Sequence, residues 1–265
     1  MEEESSEVTS ATLETLQDGV QKFGPAFIDK NLDQLMEALK KLLANEAVCQ
    51  TGAEDDSDDV DVNGMIFGNV TELLSIMAKV LKDSFAVCYK PIHSTLKRYL
   101  KLNKSPDDIS LAIGAIGDCF KHSPTLVQTY FEDLLPSIVQ CVEVNDELVS
   151  RNIAFTIGVF CAHGKDLAVS HYPKLMQILK HIFDTSTLEE TKDNAVAAIA
   201  KMVYTQPGKM PLNVVVPTIM NVLPFKGDLP ENKTALKMII FLLETSIFRV
   251  FNAITYIEML KMLKH

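Results

Sequence analysis

Apolar residues recur along almost the whole chain at the three- and four-residue spacing of amphipathic α-helices. The stretch "LDQLMEALKKLLAN" shows the pattern, with one stripe formed by Leu32, Leu35, Met36, Leu39, Leu42 and Leu43. No stretch alternates apolar and polar positions as a run of half-buried strands would. The pattern predicts an all-α protein with about eleven or twelve helices of ordinary length.

Proline punctuates these helical stretches at intervals. A proline costs nothing in the first turn of a helix, where its missing N–H would have no intrahelical partner. We therefore expect helix starts or first turns at Pro91, Pro106, Pro124, Pro136, Pro173, Pro211, Pro217 and Pro230.

The helices repeat. Aligning "LAIGAIGDCF", "RNIAFTIGVFC", "DNAVAAIAKMV" and "TALKMIIFLL" places Ile116, Ile157, Ile199 and Ile240 in register, at spacings of 41, 42 and 41 residues. Met77 in "SIMAKVL" precedes Ile116 by 39 residues. These spacings match the roughly 40 to 47 residues of HEAT and armadillo repeats.

In four of the five aligned helices a small residue directly follows the aligned position, and another amphipathic helix precedes each aligned helix. The small residues, which would allow close helix packing, are Ala78, Gly117, Gly158 and Ala200. Each period is thus a helical hairpin, and one hairpin cannot bury both its apolar faces, so hairpins must stack. The sequence predicts one α-solenoid of HEAT-like hairpins over residues 1–265, with about five and a half repeats and Asp146 as an N-cap.

The charge and the cysteine content indicate which partners the protein binds and in which cellular compartment it resides. The 35 acidic and 25 basic residues give a net charge of −10, which argues against binding nucleic acid phosphates and favours basic partners. The five cysteines show no C-x-x-C spacing and fall mostly in apolar helical runs, as buried thiols in a reducing compartment do. The acidic start is unlike a signal peptide, and no run approaches the roughly 18 apolar residues of a membrane span. We predict a soluble protein of the cytoplasm or nucleus that binds neither nucleic acid nor membrane.

One stretch, "TGAEDDSDDVDVNG" at residues 51–64, is rich in acidic residues. Its six carboxylates are Glu54, Asp55, Asp56, Asp58, Asp59 and Asp61. Counted from Asp59, it matches the opening of an EF-hand calcium loop, but position 12, where a bidentate glutamate is needed, is Val70. We therefore expect no metal site and predict an acidic, disordered loop between helices. The loop is either a solvated tether or a patch that attracts a basic partner.

Nothing in the pattern of titratable residues indicates catalysis. The histidines do not have the paired spacing that puts two ligands on one helix face; His93, His122, His163, His171 and His181 fall at scattered positions. We expect no catalytic residues and no cofactor.

Several stretches taken in order resemble a known family. They are "DSFAVCYKPIHSTLKRYLK", "VSRNIAFTIGVFCAHG", "YPKLMQILKHIF", "TKDNAVAAIAKMV" and "PLNVVVPTIMNVLPFKGDLPE". Their order and spacing resemble the C-terminal third of karyopherin-β (importin-β superfamily) nuclear import receptors of the importin-4 and Kap123 type. The resemblance covers about residues 69–231, and an acidic loop before the "VTELLSIMAKVL" helix is usual in that family.

The resemblance implies nuclear import of basic cargo, such as core histones and ribosomal proteins, by a receptor that shuttles between cytoplasm and nucleus. It adds nucleoporins as candidate partners. In this family the small GTPase Ran binds mainly N-terminal repeats, which a 265-residue chain cannot hold beside these ones. The chain would then be a fragment of a longer receptor.

Five residues are the candidate cargo contacts on second helices and the turns that lead into them. Asp118 is predicted to face outward and pair a cargo lysine. Asn152 and Asn194, at equivalent repeat positions, would hydrogen-bond an extended peptide, or else cap their helices. Asp228 and Glu231 would add charge at one end of the groove, or complement a helix dipole. The rival hypothesis is a HEAT scaffold for protein assemblies, in which shape rather than acid carries affinity.

Overall fold

The computed structural model describes residues 5–51 and 62–245. These residues form α-helices joined by short turns and contain no β-strand, which confirms the all-α prediction. The helices are α1 Ser6–Phe23, α2 Leu32–Ala44, α3 Val48–Thr51, α4 Val62–Leu81, α5 Ala86–Lys97, α6 Pro106–His122, α7 Thr125–Gln140, α8 Glu147–Gly164, α9 Asp166–Val169, α10 Tyr172–Thr185, α11 Glu189–Thr205, α12 Leu212–Val222 and α13 Asn232–Glu244. Short 3-10 helices lie at Gly24–Phe27, Asp29–Asn31, Lys82–Phe85, Cys141–Val144, Pro207–Lys209 and Leu229–Glu231.

The chain divides into two compact units, Met1–Val144 (unit 1) and Asn145–His265 (unit 2). In unit 1, α4 packs between α1 and α6, and these three helices form one layer. Helices α2, α5 and α7 form the other layer, in which α5 contacts both α2 and α7. The two layers enclose an apolar core. Tyr89 of α5 links them, its ring packing edge-on against Phe120 of α6 at 5.1 Å between centroids.

In unit 2, α11 is the central helix. It packs against α8 on one side and α13 on the other, while α10 and α12 cover its remaining face. Because α11 has neighbours on three sides, even polar residues of its first half are buried, among them Thr191, Asp193 and Asn194. Within each unit the repeating element is therefore a pair of packed helices, as the period predicts.

The predicted register holds in part. Met77, Ile116 and Ile157 are fully buried, as aligned core positions should be. In the last two repeats the predicted core position is shifted by one residue from the observed one. Ile240 is 42% exposed, whereas Ile239 beside it is fully buried. In α11 the fully buried Ala198, 41 residues after Ile157, takes the place predicted for Ile199.

Close packing of second helices depends on a small residue at Gly158, as predicted. A Cβ atom added there would lie 3.2 Å from both Cα and Cβ of Ala198 on the neighbouring α11. That distance is shorter than ordinary van der Waals contact, so a larger residue would push α8 and α11 apart.

Prolines do not all mark helix starts. Pro106 occupies the first turn of α6, where Ser105 accepts a hydrogen bond from the Asp108 N–H as N-cap. In contrast, Pro91, Pro136 and Pro217 lie inside α5, α7 and α12, which corrects the prediction for these three. The local rule fails because tertiary packing of the apolar stripe carries each helix through its proline. The predicted N-cap Asp146 is confirmed: it accepts from the N–H groups of Leu148 and Val149 at 2.9 and 3.0 Å.

All five cysteines are free and buried, as expected: Cys49, Cys88, Cys119, Cys141 and Cys161. Burial raises the pKa of the Cys141 thiol to about 11, so it stays protonated at neutral pH. One helical stretch, Val62–Lys97, is long and apolar enough to pass for a membrane span by length and composition, contrary to the sequence analysis. The apolar residues of α4 within it pack against α1 and α6, as in a core helix.

The loop predicted over residues 51–64 ends earlier than predicted, because α4 begins at Val62. The acidic residues Glu54, Asp55, Asp56, Asp58, Asp59 and Asp61 lie outside the described residues, as does the last stretch of the chain, 246–265.

Candidate functional site

Asp118, the candidate in unit 1, lies on α6 in the layer of second helices and is half-buried rather than fully outward. Burial raises the pKa of its carboxyl group, and the charges of Lys121 and Lys79, with a hydrogen bond from Ser75, oppose that rise. The carboxylate therefore already has two cationic neighbours from its own unit. A cargo lysine would have to compete with them.

In unit 2 the turn before α13 is held by a residue that the sequence analysis missed. Asp193, buried on α11, accepts three hydrogen bonds through one oxygen, from the N–H groups of Lys226, Gly227 and Asp228 at 3.0, 2.7 and 3.0 Å. Three consecutive N–H groups around one carboxylate form an anion-binding nest. The signal in the sequence was an acidic residue just before the apolar run of "TKDNAVAAIAKMV".

The next residue of α11, Asn194, also stabilises the turn before α13. Asn194 is 4% exposed, and its side-chain N–H group donates to the Glu190 carbonyl at 2.9 Å and to the Asp228 carboxylate at 3.0 Å. Asn194 and Asp228 thus bond to each other, whereas Asn194 was predicted to hydrogen-bond an extended peptide and Asp228 to add charge at one end of the groove. This internal pairing corrects their predicted placement, and it also differs from the helix-capping alternative, because Asn194 lies well inside α11.

Glu231 is likewise turned inward. It pairs with Lys201 of α11 at 2.7 Å between Oε1 and Nζ, and each side chain is only 11% exposed. Thr234 donates to the other Glu231 oxygen at 2.5 Å, and the Lys201 ammonium lies 5.8 Å from the centre of the Phe155 ring. A buried carboxylate with both oxygens occupied cannot reach cargo without breaking this ion pair, so its predicted outward role is corrected.

Gly227 allows the turn to approach α11 closely. A Cβ atom at this position would lie 2.3 Å from the backbone nitrogen of Glu190, which no side chain can tolerate without a backbone shift. Asn232 bridges the turn from the other side, accepting from the Phe225 N–H at 2.9 Å and donating to its carbonyl at 3.0 Å. Together with the Asp193 nest, these contacts fix residues 225–232 on α11.

Asn152 occupies a different environment from its repeat equivalent. It is half-buried on α8 and makes a contact within the protein. Next to it, Arg151 lies 3.7 Å from the Glu190 carboxylate, a partly exposed ion pair between α8 and α11.

A second turn in unit 2 is held in the same way. Glu147, at the start of α8, accepts from the Ser186 hydroxyl and the Thr187 N–H, both at 2.5 Å. Burial would raise the pKa of Glu147, but these hydrogen bonds and those of Thr187 and Thr191 side chains outweigh it and lower the pKa to about 2. Carboxylates near the starts of α8 and α11 thus hold the turns that lead into the next second helices.

Acidic residues are distributed unevenly along the chain. The described residues carry 25 acidic and 22 basic side chains, so the helices are close to neutral. Residues 1–4 and 52–61 hold nine acidic residues and no basic one. Within the ranges 5–51 and 62–245, no group of three or more His, Cys, Asp or Glu side chains could hold a metal ion.

Comparisons with known proteins give relatives of one kind. No family model matches the chain. The probable importin subunit beta-4 of Schizosaccharomyces pombe is 21% identical over 222 residues, which is 79% of this chain and 21% of that protein. Human importin-4 is 25% identical over 251 residues, 92% of this chain and 23% of that protein, and mouse importin-4 is 25% identical over 230 residues. The chain spans about a fifth of the length of these curated relatives.

Solved structures agree on the fold. The karyopherin Kap121p bound to the SUMO protease Ulp1p matches 91% of this chain and 23% of its own, with a TM-score of 0.74 and 18% identity. A Kap121p mutant in which three acidic residues are replaced by lysine matches 98% of this chain and 25% of its own, with a TM-score of 0.72 and 19% identity. The stacked hairpins therefore define an all-α HEAT-repeat solenoid, as predicted. The importin sequence matches, at 21 to 25% identity over 79 to 92% of the chain, make the chain similar to a segment of these importins.

Proposed function

We propose that the chain belongs to a nuclear transport receptor and binds lysine-rich segments of cargo proteins, such as core histones and ribosomal proteins. The observation that carries the receptor proposal is the importin relationship, which extends over 79 to 92% of the chain. The receptor would shuttle between cytoplasm and nucleus. Ran and nucleoporins would be engaged in the context of a receptor as long as the relatives.

The acid in unit 1 supports a basic cargo. Its 144 residues contain 24 acidic and 12 basic side chains, and six of the acids fall between Glu54 and Asp61. Such a block creates a strongly negative potential that attracts basic segments and speeds their encounter. Asp118 adds a carboxylate on the layer of second helices in the same unit. We assign the attraction for lysine-rich cargo to this acid rather than to Asn194, Asp228 and Glu231.

Binding of a labelled lysine-rich histone-tail peptide tests the proposal. Fluorescence anisotropy should show affinity at 50 mM salt that falls tenfold or more by 300 mM, because exposed charges are screened over about 10 Å at 0.1 M. Converting the six loop acids to Asn or Gln should weaken binding at least fivefold, and Asp118→Lys should weaken it further. Asp184→Lys in unit 2 is the matched control, since it changes the net charge equally on an exposed side chain.

Two outcomes would count against this function. Undetectable binding at 50 mM salt would remove the basic-cargo proposal, and an equal effect of Asp184→Lys would show that only net charge matters. Either outcome would favour the rival hypothesis of a HEAT scaffold, with which the near-neutral charge of the described helices agrees. In a scaffold, shape rather than charge carries the affinity, so binding changes little with salt. A protein partner captured with salt-insensitive affinity would then support the scaffold.

A further inference from the structure

A polar hollow of about 380 Å³ lies in unit 1, toward the C-terminal ends of the neighbouring helices α2 and α5. With one exception, the described side chains that line it carry a charge or a hydroxyl group. The basic ones are Lys40, Lys41 and Arg98, and the acidic ones are Glu37 and Glu46. A hollow lined in this way suits a charged ligand, because apolar groups cannot satisfy its hydrogen-bonding side chains.

The two walls of the hollow are held together by one buried side chain. Tyr99 follows Arg98 directly, and its hydroxyl donates to the Leu43 carbonyl of α2 at 2.8 Å. The Tyr99 ring also stacks on Phe67 of α4, at 4.1 Å between centroids. These contacts fix the end of α5 against α2. The backbone at Arg98 is therefore set relative to α2 before a ligand binds, which lowers the entropic cost of binding.

Two of the basic side chains at the hollow lack an acidic partner. Lys40 on α2 and Arg98, directly after α5, are exposed and form an ion pair with no acid among the described residues. Lys97 beside them, in contrast, pairs with Asp133 at 2.5 Å. Two cations thus border the same hollow from different helices. Because like charges repel each other, an anion placed between them would be attracted by both.

The donors at the hollow match a phosphate group. Arg98 offers a planar fork of N–H groups, Lys40 offers an ammonium group, and Ser94, four residues before Arg98 on α5, offers a hydroxyl. A phosphorylated side chain carries a charge of about −1.5 to −2 at pH 7 and three acceptor oxygens, so it can engage all three donors. A carboxylate has one charge and two oxygens, so the hollow favours phosphate over Asp or Glu.

The two acids of the hollow restrict which molecule can carry the phosphate. Glu37 and Glu46 are both exposed and line the hollow together with the cations. They would repel the further phosphates of a nucleic acid, as would the net charge of −10, and they would attract basic residues on either side of a single phosphate. The lining therefore favours a peptide in which a phosphorylated residue lies between lysine or arginine residues.

We propose that this hollow binds a phosphorylated serine or threonine of a partner protein, in a segment whose flanking residues are basic. The phosphate lies between Arg98 and Lys40 and accepts from Ser94, and the flanking basic residues pair with Glu37 and Glu46. The site lies on first helices, whereas Asp118 lies on the layer of second helices. It does not depend on the proposed transport function.

Fluorescence anisotropy of the whole chain with a labelled peptide, Gly-Lys-Ala-Ser-Ala-Lys-Gly phosphorylated on its serine, tests the site. We expect a dissociation constant of about 10–100 μM, and binding about tenfold weaker for the unphosphorylated peptide. A peptide with glutamate in place of phosphoserine should bind about fivefold more weakly than the phosphorylated one, because it carries less charge and fewer acceptors.

Variants of the two walls test the donors. Arg98→Glu and Lys40→Glu should each weaken the phosphorylated peptide about tenfold, because each replaces a donor with a like charge. Arg98→Lys, which keeps the charge and loses the fork, should weaken it about threefold. Lys90→Glu is the matched control, since Lys90 is exposed on the same helix α5 and does not line the hollow. It should leave the affinity unchanged within about twofold.

A second set of variants tests the basic flanks. Replacing both lysines of the phosphorylated peptide by alanine should weaken its binding to the wild type about threefold. The same replacement should have no effect on binding to the double variant Glu37→Gln with Glu46→Gln, because the partners of the lysines are then absent. Circular dichroism melting shows whether each variant folds. Since Lys40 and Arg98 belong to different walls, misfolding of one variant leaves the other as a test.

Three results would overturn the proposal. One is equal binding of the phosphorylated and unphosphorylated peptides, or an equal loss for Lys90→Glu and Lys40→Glu. Another is displacement of most of the peptide by about 1 mM inorganic phosphate, which would assign the hollow to a free anion. The third is tighter binding of a thymidine oligonucleotide than of the phosphopeptide, lost in Arg98→Glu, which would assign it to nucleic acid.

Discussion

Units 1 and 2 have the same helical architecture but use charged residues differently. Unit 1 carries 24 acidic and 12 basic side chains, and unit 2 carries 11 and 13. Much of the acid of unit 1 lies in residues 1–4 and 52–61, and its central helix α4 is packed through apolar side chains. In unit 2 the central helix α11 instead buries Asp193, Asn194 and Lys201, each with a polar partner.

This difference between the units shows that charged residues in a solenoid have two distinct roles, one at the surface and one between repeats. A charge at the surface sets the long-range potential and contributes little to stability. A charge buried between repeats must be paired, and removing one partner costs far more than the pair contributes net. Unit 2 should therefore be sensitive to single polar substitutions that unit 1 tolerates.

The buried ion pair should give the largest effect. Lys201→Met leaves the Glu231 carboxylate buried without its cation, and we expect a loss of about 3–5 kcal/mol in the free energy of unfolding. The double variant with Glu231→Leu should recover most of it, because apolar residues can replace a buried pair. Urea denaturation measures both.

The matched control for the ion pair is in unit 1. Lys97 and Asp133 also pair, at 2.5 Å, but their side chains are 34% and 49% exposed. Lys97→Met should cost about 1 kcal/mol or less, since exposed pairs contribute little. Equal losses for Lys97→Met and Lys201→Met would break the comparison between the units.

Loss of the nest around Asp193 should have the second-largest effect on the free energy of unfolding. Asp193→Ala leaves three N–H groups of the turn before α13 without an acceptor, and we expect a loss of about 2–3 kcal/mol. Asp193→Asn, which keeps one acceptor oxygen, should lose less. Hydrogen exchange at Lys226, Gly227 and Asp228 should accelerate in the alanine variant before the rest of unit 2 is affected. Unchanged exchange there would show that the nest does not hold the turn.

Gly227→Ala should destabilise unit 2 by about 1–2 kcal/mol, because its Cβ would collide with the backbone at Glu190. Gly208 is the control, since a Cβ added there would have no neighbour within 4 Å. Gly208→Ala should change stability by less than about 0.5 kcal/mol. Thermal melting of both variants would separate close packing from the general effect of replacing glycine.

The smallest effect concerns the Glu147 carboxylate. Its pKa is lowered to about 2 in the folded protein, so its stabilisation is complete above its ordinary pKa near 4.5 and is lost as pH falls toward 2. Wild type should therefore be more stable than Glu147→Gln at pH 6, by less than about 1 kcal/mol because the group is close to solvent. The difference in melting temperature should shrink by pH 3. A difference that stays constant down to pH 2.5 would contradict the assigned hydrogen bonds.

Local sequence rules predicted the features that depend on one helix or one period. The N-cap Asp146 follows from its neighbours along the chain, and the small residue Gly158 and the hairpin repeat follow from the period; the structure confirms all three. The rules failed where a partner comes from a distant residue. Spacing alone could not show that Asn194 bonds to Asp228, 34 residues away, or that Lys201 reaches Glu231.

By itself the sequence determined the all-α class, the period of about forty residues and the excess of acid in the first half, because each is a property of composition or periodicity. Only the tertiary structure decided which polar residues face solvent. The stacking of repeats buries one face of every helix and brings its turns against the next repeat, so the environment of an acid such as Glu231 depends on the neighbouring hairpin. For the same reason only the structure revealed the hollow between α2 and α5, whose walls come from two helices that the sequence pattern could describe only one at a time.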